Sequence, residues 1–90
     1  MRFKFDKAKS ALVRRRRCIG FEEAKEVFYG PHCVNFRSDD PEQFFAIGWV
    51  KSNLYSVIFE VRTDVEGEYY HLVTLWKSTS AERKIYEEEQ

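Results

Sequence analysis

The sequence contains one nearly continuous apolar run, residues 44–50, which reads Phe-Phe-Ala-Ile-Gly-Trp-Val. A run of this length without alternating polar residues is typical of a strand that is buried on both faces. Residues 51–53 predict a turn, and residues 54–62 predict a second strand in which apolar side chains alternate. Two strands joined by so short a connection pair antiparallel. The run therefore predicts the centre of a sheet.

The segments around this centre predict helices before and after the strands. Asp6 is a good helix N-cap, Gly30-Pro31 is a helix stop, and Thr79-Ser80-Ala81-Glu82 matches the capping box. The predicted elements are a strand at residues 2–5, a helix from Lys7 to Arg16, a helix from Phe21 to Tyr29, strands at His32–Arg37 and Tyr69–Lys77, a hairpin loop at Thr63–Glu68, and a helix from Thr79 to Glu89.

The element order, β-α-α-β-β-β-β-α, predicts an α+β fold. Short connections between consecutive strands favour an antiparallel meander sheet. Because the helices are grouped before and after the strands, we expect two N-terminal helices and one C-terminal helix on one face of that sheet. With 90 residues, the chain has room for a single domain that spans residues 1–90.

Composition argues against several classes of protein. No apolar run approaches the roughly 18 residues of a membrane span, and the basic N-terminus lacks the apolar segment of a secretory signal. We therefore expect a cytoplasmic protein that does not contact a membrane. Two cysteines make no disulfide framework, and we expect both to be small buried apolar residues. Cys18, His32, Cys33 and His71 fit no familiar metal spacing, so we expect no metal and no cofactor.

The charged residues are segregated along the chain. Fifteen basic and fifteen acidic side chains give a formal net charge of zero. Residues 1–20, however, carry a net charge of +7, and the remaining seventy residues carry −7. The overall balance excludes a uniformly basic surface for nucleic acid, whereas the segregation is compatible with a local one.

Arg14-Arg15-Arg16-Arg17 is the densest cluster of charge in the sequence. Cations at the C-terminus of a helix complement its dipole, which is one explanation of the run. Four arginines within one turn also repel one another unless an anion is present, and the guanidinium group binds phosphate oxygens in pairs. The run therefore predicts a binding patch for RNA, DNA, an acidic protein or the acidic part of this chain.

Chemistry on RNA needs a group that takes the proton of the ribose 2′-hydroxyl, a group that protonates the leaving oxygen, and cations that hold the phosphate. We predict His71, Lys77 and Glu82 as catalytic candidates and Arg62, with the arginine run, as a phosphate-binding residue. Structural alternatives stay open for three of them. Glu82 caps the last helix, His71 is a half-buried strand residue in phase with Leu75, and Arg62 pairs with a nearby carboxylate.

Six short phrases occur in order along nearly the whole chain. They are Phe3-Lys4-Phe5-Asp6-Lys7-Ala8-Lys9, Phe21-Glu22-Glu23-Ala24, Val27-Phe28, Glu42-Gln43-Phe44-Phe45-Ala46-Ile47-Gly48, Val57-Ile58-Phe59-Glu60-Val61-Arg62, and Ser78-Thr79-Ser80-Ala81-Glu82-Arg83 with Tyr86. Together they resemble the BrnT toxins of bacterial type II toxin–antitoxin modules. The resemblance implies a RelE-like fold, metal-independent ribonuclease activity, and neutralisation by a small antitoxin of the BrnA kind.

Three phrases depart from the BrnT pattern, and in one of them the Glu-Arg of the family is Glu42-Gln43 here. The Lys-His dipeptide of the family is Arg16-Arg17 here, and its Arg-x-x-Ser-Ala-Arg phrase is replaced by residues 71–76. These changes motivate an alternative, a non-catalytic binding protein on the same scaffold, such as a phage- or plasmid-borne inhibitor of a host nucleic-acid-handling complex. A third hypothesis is a DNA-binding regulator that acts through the basic helix. Each of the three is compatible with an oligomer.

Overall fold

The computed structural model describes residues 1–89 and confirms the α+β class. The elements are β1 (Arg2–Lys4), α1 (Lys7–Arg17), α2 (Phe21–Ala24), α3 (Glu26–Tyr29), β2 (His32–Asp39), β3 (Glu42–Val50), β4 (Asn53–Asp64), β5 (Gly67–Lys77) and α4 (Ser80–Glu89). Strands β2 to β5 extend beyond their predicted ends into the turns. None of the helices in this part of the chain is long and apolar enough to cross a membrane.

The five strands form one mixed sheet in the order β1-β5-β4-β3-β2. Strands β2 to β5 pair antiparallel with their sequence neighbours, as the meander prediction requires. At the edge, the register of β2 shifts between Phe36 and Ser38. At the other edge, β1 pairs parallel with β5, with Phe3 opposite Tyr70. The sheet is mixed because the helices carry the chain from β1 to the far edge before the meander returns beside β1.

Helices α1, α2 and α3 cover one face of the sheet, which we call the α1–α3 face. Phe21, Ala24 and Val27 are buried there in a first core. Gly48 allows the close approach of α3, because a Cβ atom at this position would lie 3.0 Å from the carbonyl oxygen of Val27. The sheet residues of the first core are Ala46, Val50, Tyr55, Val57, Phe59, Leu72 and Leu75.

Helix α4 packs on the opposite face, the α4 face, so the prediction that all helices share one face is wrong. Tyr86 of α4 joins Cys33, Ile47 and Leu54 in a second core. Neighbouring residues of β3 belong to different cores, Ala46 to the first and Ile47 to the second. Strand β3 is thus buried on both faces, as its apolar run predicts, and such burial requires a helix on each side of the sheet.

The predicted helix caps are present, but the second helix is interrupted. The Asp6 carboxylate accepts a hydrogen bond from the Lys9 backbone N–H at 3.0 Å and caps α1. A reciprocal capping box begins α4 at Thr79. The predicted second helix divides at Lys25 into α2 and α3. There the Phe28 N–H donates to the carbonyl of Lys25, three residues back instead of four.

The two cysteines lie in different environments. Cys33 is buried in the second core, as predicted. Cys18 is exposed, so the prediction that it is buried is wrong. It ends α1 in a left-handed conformation, with φ of 72°, and its N–H donates to the carbonyl of Arg14. The thiol therefore lies at the end of the arginine run.

Candidate functional site

The predicted catalytic residues are divided between the two faces of the sheet. Directly paired residues in a sheet lie on the same face, and successive residues of a strand lie on opposite faces. Lys77 pairs with Tyr55 of the first core, so Lys77 lies on the α1–α3 face. His71 lies between Tyr70 and Leu72, both of which pack in or against the first core. His71 therefore lies on the α4 face.

Glu82 also lies on the α4 face, but at a distance from His71. Its carboxylate contacts Ser56 and Trp76, which pair with each other across β4 and β5. His71 pairs with Glu60, which lies four residues beyond Ser56 on β4. Because a strand rises by about 3.3 Å per residue, about 13 Å of sheet separates the two candidates. The structure does not bring His71, Lys77 and Glu82 together.

Lys77 lies instead at the end of the arginine run. Arg16, Arg17, Cys18 and Lys77 line a cavity of about 240 Å³, which we call the basic cavity. The hydroxyl of the buried Tyr55 donates to the carbonyl of Arg17 at 3.4 Å and holds this end of α1 against the sheet. Burial raises the pKa of Tyr55, so its hydroxyl stays a neutral donor. Cations from α1 and from β5 thus line the same cavity.

The positive charge around the basic cavity is not balanced by acidic side chains. Arg14, at the start of the run, pairs with Glu23 at 2.6 Å. Within residues 1–89 the remaining cations around this cavity form no ion pair. They are Arg15, Arg16, Arg17 and Lys77. The helix dipole accounts for cations on α1. Lys77 comes from β5, however, and adds a further cation to the same cavity, where like charges repel. The basic cavity is therefore suited to an anion.

His71 lies beside an ordered carboxylate on the α4 face. Glu60 accepts hydrogen bonds from Gln43 Nε2 at 2.7 Å and from Arg62 Nη2 at 2.6 Å. These two bonds hold the pKa of Glu60 below its usual range. Burial and the charge of Arg62 lower the pKa of His71, so its imidazole is neutral at neutral pH. Arg62 thus pairs with a carboxylate, which is the structural alternative that the sequence left open.

A β-bulge in β5 decides which side chains share a face with His71. Leu72 pairs with Phe59 and Thr74 pairs with Ile58, so one extra residue lies between them on β5. The extra residue reverses the alternation of side chains beyond it. Leu75 is therefore buried in the first core, on the face opposite to His71. The prediction that His71 and Leu75 are in phase is wrong.

Glu82 is held at the N-terminus of α4 as a capping residue. Its Oε1 accepts three hydrogen bonds of 2.9 Å, from Ser56 Oγ, Trp76 Nε1 and the backbone N–H of Thr79. Burial alone would raise the pKa of Glu82, but these hydrogen bonds outweigh burial and hold the pKa below its usual range. An ionised carboxylate has no proton to donate. The capping alternative for Glu82 therefore describes its role in this structure.

A second cavity lies beside Glu82, and the sequence does not predict it. The lining residues of this space of about 230 Å³, which we call the aromatic cavity, are Arg37, Phe45, Ile58, Trp76 and Glu82. The guanidinium carbon of Arg37 lies 5.6 Å from the centroid of the Trp76 ring. The apolar run around Phe45 predicts only a core. The available signal is Trp76, whose indole N–H needs a partner when it is buried.

No protein family matches this sequence, and no curated protein matches it either. The likeness to BrnT toxins therefore depends on the short phrases of the sequence. In the part of the chain that the structure describes, no three His, Cys, Asp or Glu side chains are grouped so that they could hold a metal ion.

Proposed function

We propose that this chain is an RNA-binding protein on a BrnT-like scaffold and that its basic cavity holds phosphate groups. The observation that carries the proposal is the convergence of Arg16 and Arg17 of α1 with Lys77 of β5 on one cavity. Guanidinium groups bind phosphate oxygens in pairs, and each neutralised phosphate releases counterions. A RelE-like arrangement is part of the proposal, and the order of helices and strands is compatible with it.

Binding is favoured over catalysis because the candidates for proton transfer lie apart. Lys77 lies at the basic cavity, His71 lies on the other face, and Glu82 caps α4. A cavity lined by cations can still bind RNA without any of these proton transfers. The function that the geometry supports best is therefore the non-catalytic one.

The test compares two double variants of α1. Arg16→Gln with Arg17→Gln removes two cations of the basic cavity, and Lys7→Gln with Lys9→Gln removes the same charge from the first turn of the helix. For single-stranded RNA, the slope of log affinity against log salt changes by about 0.7 for each phosphate contact. We expect the arginine variant to bind more weakly, with a slope that is shallower by about 1.4.

The lysine variant serves as the matched control and should keep most of the slope. Equal losses of affinity in the two variants would mean that RNA responds to net charge and not to the basic cavity. Failure of the wild-type protein to bind single-stranded RNA would overturn the proposal altogether.

A metal-independent ribonuclease toxin, neutralised by a small antitoxin, is the second candidate function. The observation that favours it is the position of His71, which is paired across β4 and β5 with Glu60, the carboxylate that binds Arg62. A neutral imidazole can take the proton of a ribose 2′-hydroxyl. The 2′-oxygen then attacks the adjacent phosphorus, the bond from phosphorus to the 5′-oxygen breaks, and the leaving oxygen takes a proton from water.

Cleavage of RNA in the presence of EDTA tests the second candidate. We expect His71→Gln to lower the rate at least about 100-fold if His71 is the general base. His32→Gln, at the histidine outside this site, is the matched control and should cleave at the wild-type rate. The candidate fails if the wild-type protein does not cleave RNA, or if His71→Gln cleaves as fast as the wild type.

A further inference from the structure

We propose that the aromatic cavity binds a guanine base of the same RNA whose phosphates occupy the basic cavity. This inference rests on the proposed RNA-binding function and assigns a base-binding site to it. The two cavities lie on opposite faces of the sheet, but they are lined by the adjacent residues Trp76 and Lys77. One strand of RNA near the end of β5 can therefore reach both.

The shape of the aromatic cavity suits one flat ring system. Phe45 and Ile58 are paired across β3 and β4, and Trp76 of β5 provides a further aromatic wall. The volume of about 230 Å³ is smaller than the sites that hold drug-sized ligands. Stacking of bases on aromatic side chains is a general means of binding single-stranded nucleic acid.

The polar groups of the aromatic cavity determine which hydrogen-bond donors and acceptors a ligand ring must have. All three hydrogen bonds that the protein donates to Glu82 end on Oε1, and within residues 1–89 none ends on Oε2. An ionised carboxylate only accepts hydrogen bonds, so a ligand atom that faces Oε2 must be a donor. Arg37 is exposed beside Trp76 and offers donors, so it suits a ligand acceptor.

Of the four RNA bases, guanine matches this set best. Uracil has its N–H between two carbonyl oxygens, which a carboxylate repels, and adenine has the acceptor nitrogen N1 next to its amino group, which a carboxylate also repels. Cytosine and guanine each carry an amino group and a carbonyl oxygen. Guanine presents two adjacent donors, the ring N–H and the amino group, and the two lone pairs of Glu82 Oε2 can accept both. Its double ring also gives the larger stacking surface against Phe45 and Trp76.

The edge of the sheet gives RNA a route between the two faces. Strand β1 pairs with β5 only at residues 69–71. Beyond His71, this side of β5 has no neighbouring strand in the described chain. Trp76 and Lys77 lie on this part of β5. A single strand that passes around the edge contacts Lys77 on the α1–α3 face and Trp76 on the α4 face.

The experiment compares short adenosine-rich RNAs that carry either one guanosine or one inosine at the centre. Inosine lacks only the 2-amino group of guanosine. A hydrogen bond to a charged group corresponds to a difference in affinity of about tenfold or more. We expect the wild-type protein to prefer the guanosine RNA by that factor. Equal affinity for the two RNAs would overturn the guanine site.

Variants locate the preference at the cavity. Glu82→Gln keeps the size of the side chain and can place an amide N–H where Oε2 stands, so it should abolish the preference for guanosine. Glu87→Gln makes the same change at an exposed position of α4 and should keep the preference. Arg37→Gln, also at an exposed position, should lower the affinity for guanosine RNA and for inosine RNA equally, because both bases carry the carbonyl oxygen.

Failure of this inference is distinguishable from failure of the proposed function. The protein could bind RNA through the basic cavity and yet bind the guanosine RNA no more tightly than the inosine or adenosine RNA. In that case the guanine site is wrong, but the proposed RNA binding is retained. If RNA does not bind, the free nucleosides still test the cavity, because tryptophan fluorescence should respond to guanosine more than to inosine. A guanosine preference that survives Glu82→Gln would place the base elsewhere and overturn the inference.

Discussion

Single side chains on the α4 face take their protonation states from the groups that surround them. Glu82 is an anion because a hydroxyl, an indole and a backbone N–H all donate to one oxygen. His71 is neutral because burial and the charge of Arg62 both oppose its protonation. The sequence predicts the Thr79 N–H as a donor to Glu82 through the capping box, but it does not show that Trp76 Nε1 and Ser56 Oγ also donate to this carboxylate. Ser56 lies on β4, which is distant from Glu82 in the chain.

Replacement of Glu82 by Gln should destabilise the protein more at neutral pH than in acid. The folded-state pKa lies below the ordinary value of about 4.3. The stabilisation by the anion is therefore complete above that value and is lost as the pH falls through the folded-state pKa. We expect Glu82→Gln to lower the free energy of unfolding by about 1 kcal/mol at pH 7.

Urea unfolding at neutral and acidic pH measures this difference. The difference in the free energy of unfolding between the wild type and Glu82→Gln should become smaller as the pH falls below the ordinary pKa of Glu. Glu87→Gln, on the exposed side of the same helix, is expected to change stability little at either pH. A gap of the same size at both pH values would show that the charge of Glu82 does not stabilise the cap.

Among the elements, helix α3 and strand β3 approach each other closely at Gly48. A methyl group there would meet the carbonyl oxygen of Val27 at 3.0 Å and the Cβ of His32 at 3.1 Å, and neither is a flexible side-chain end. We expect Gly48→Ala to lower the free energy of unfolding by about 1–3 kcal/mol, because α3 must shift.

Gly30→Ala is the matched control for this close approach. A Cβ atom at Gly30 meets no atom within 4 Å, so we expect a change of at most about 0.5 kcal/mol. Chemical unfolding of the two variants provides the measurement. Equal stability of Gly48→Ala and Gly30→Ala would contradict the close packing of α3 on β3.

Elements that depend on local chemistry could be predicted from the sequence, and those that depend on distant contacts could not. Asp6 and Thr79 cap their helices through hydrogen bonds that span three residues. The parallel pairing of β1 with β5 joins residues that are more than sixty positions apart. The bulge in β5 and the face taken by α4 depend on the whole sheet. The two cavities lie between elements that are distant in the chain, so the sequence does not predict them either.

In the whole molecule, the basic N-terminal segment and the acidic remainder of the chain meet in a few ion pairs. Asp64 lies 2.7 Å from Arg2 Nη2 and 2.7 Å from Lys4 Nζ. Together with the Arg14–Glu23 pair, these contacts engage three of the eight N-terminal cations. The other five form no ion pair within residues 1–89. The segregated charge is thus partly used in folding and partly left at the surface.

Removal of Asp64 should loosen the attachment of β1. Its hydrogen bonds with Arg2 and Lys4 hold the pKa of Asp64 well below its usual range. Its contribution is therefore present above the ordinary pKa of Asp and is lost as the pH falls toward the folded-state value. We expect Asp64→Asn to lower the melting temperature at neutral pH and low salt, and less so at high salt, because ions screen exposed charges.

Thermal melts at two salt concentrations check this expectation. Asp39→Asn, at an exposed residue that forms no ion pair within the described chain, is the matched control and should leave the melting temperature nearly unchanged. A decrease for Asp64→Asn that is the same at low and high salt would argue for a role other than charge pairing.

The irregularity of β2 between Phe36 and Ser38 has a consequence at high protein concentration. An edge strand presents unpaired backbone groups on which another chain can assemble, and this is a route to aggregation. Val34 and Phe36 are exposed apolar residues on this strand and would favour such assembly. The bulge interrupts the regular spacing of the backbone groups and inserts Arg37 into the edge. Arg37, which lines the aromatic cavity, thus also opposes the growth of fibres from β2.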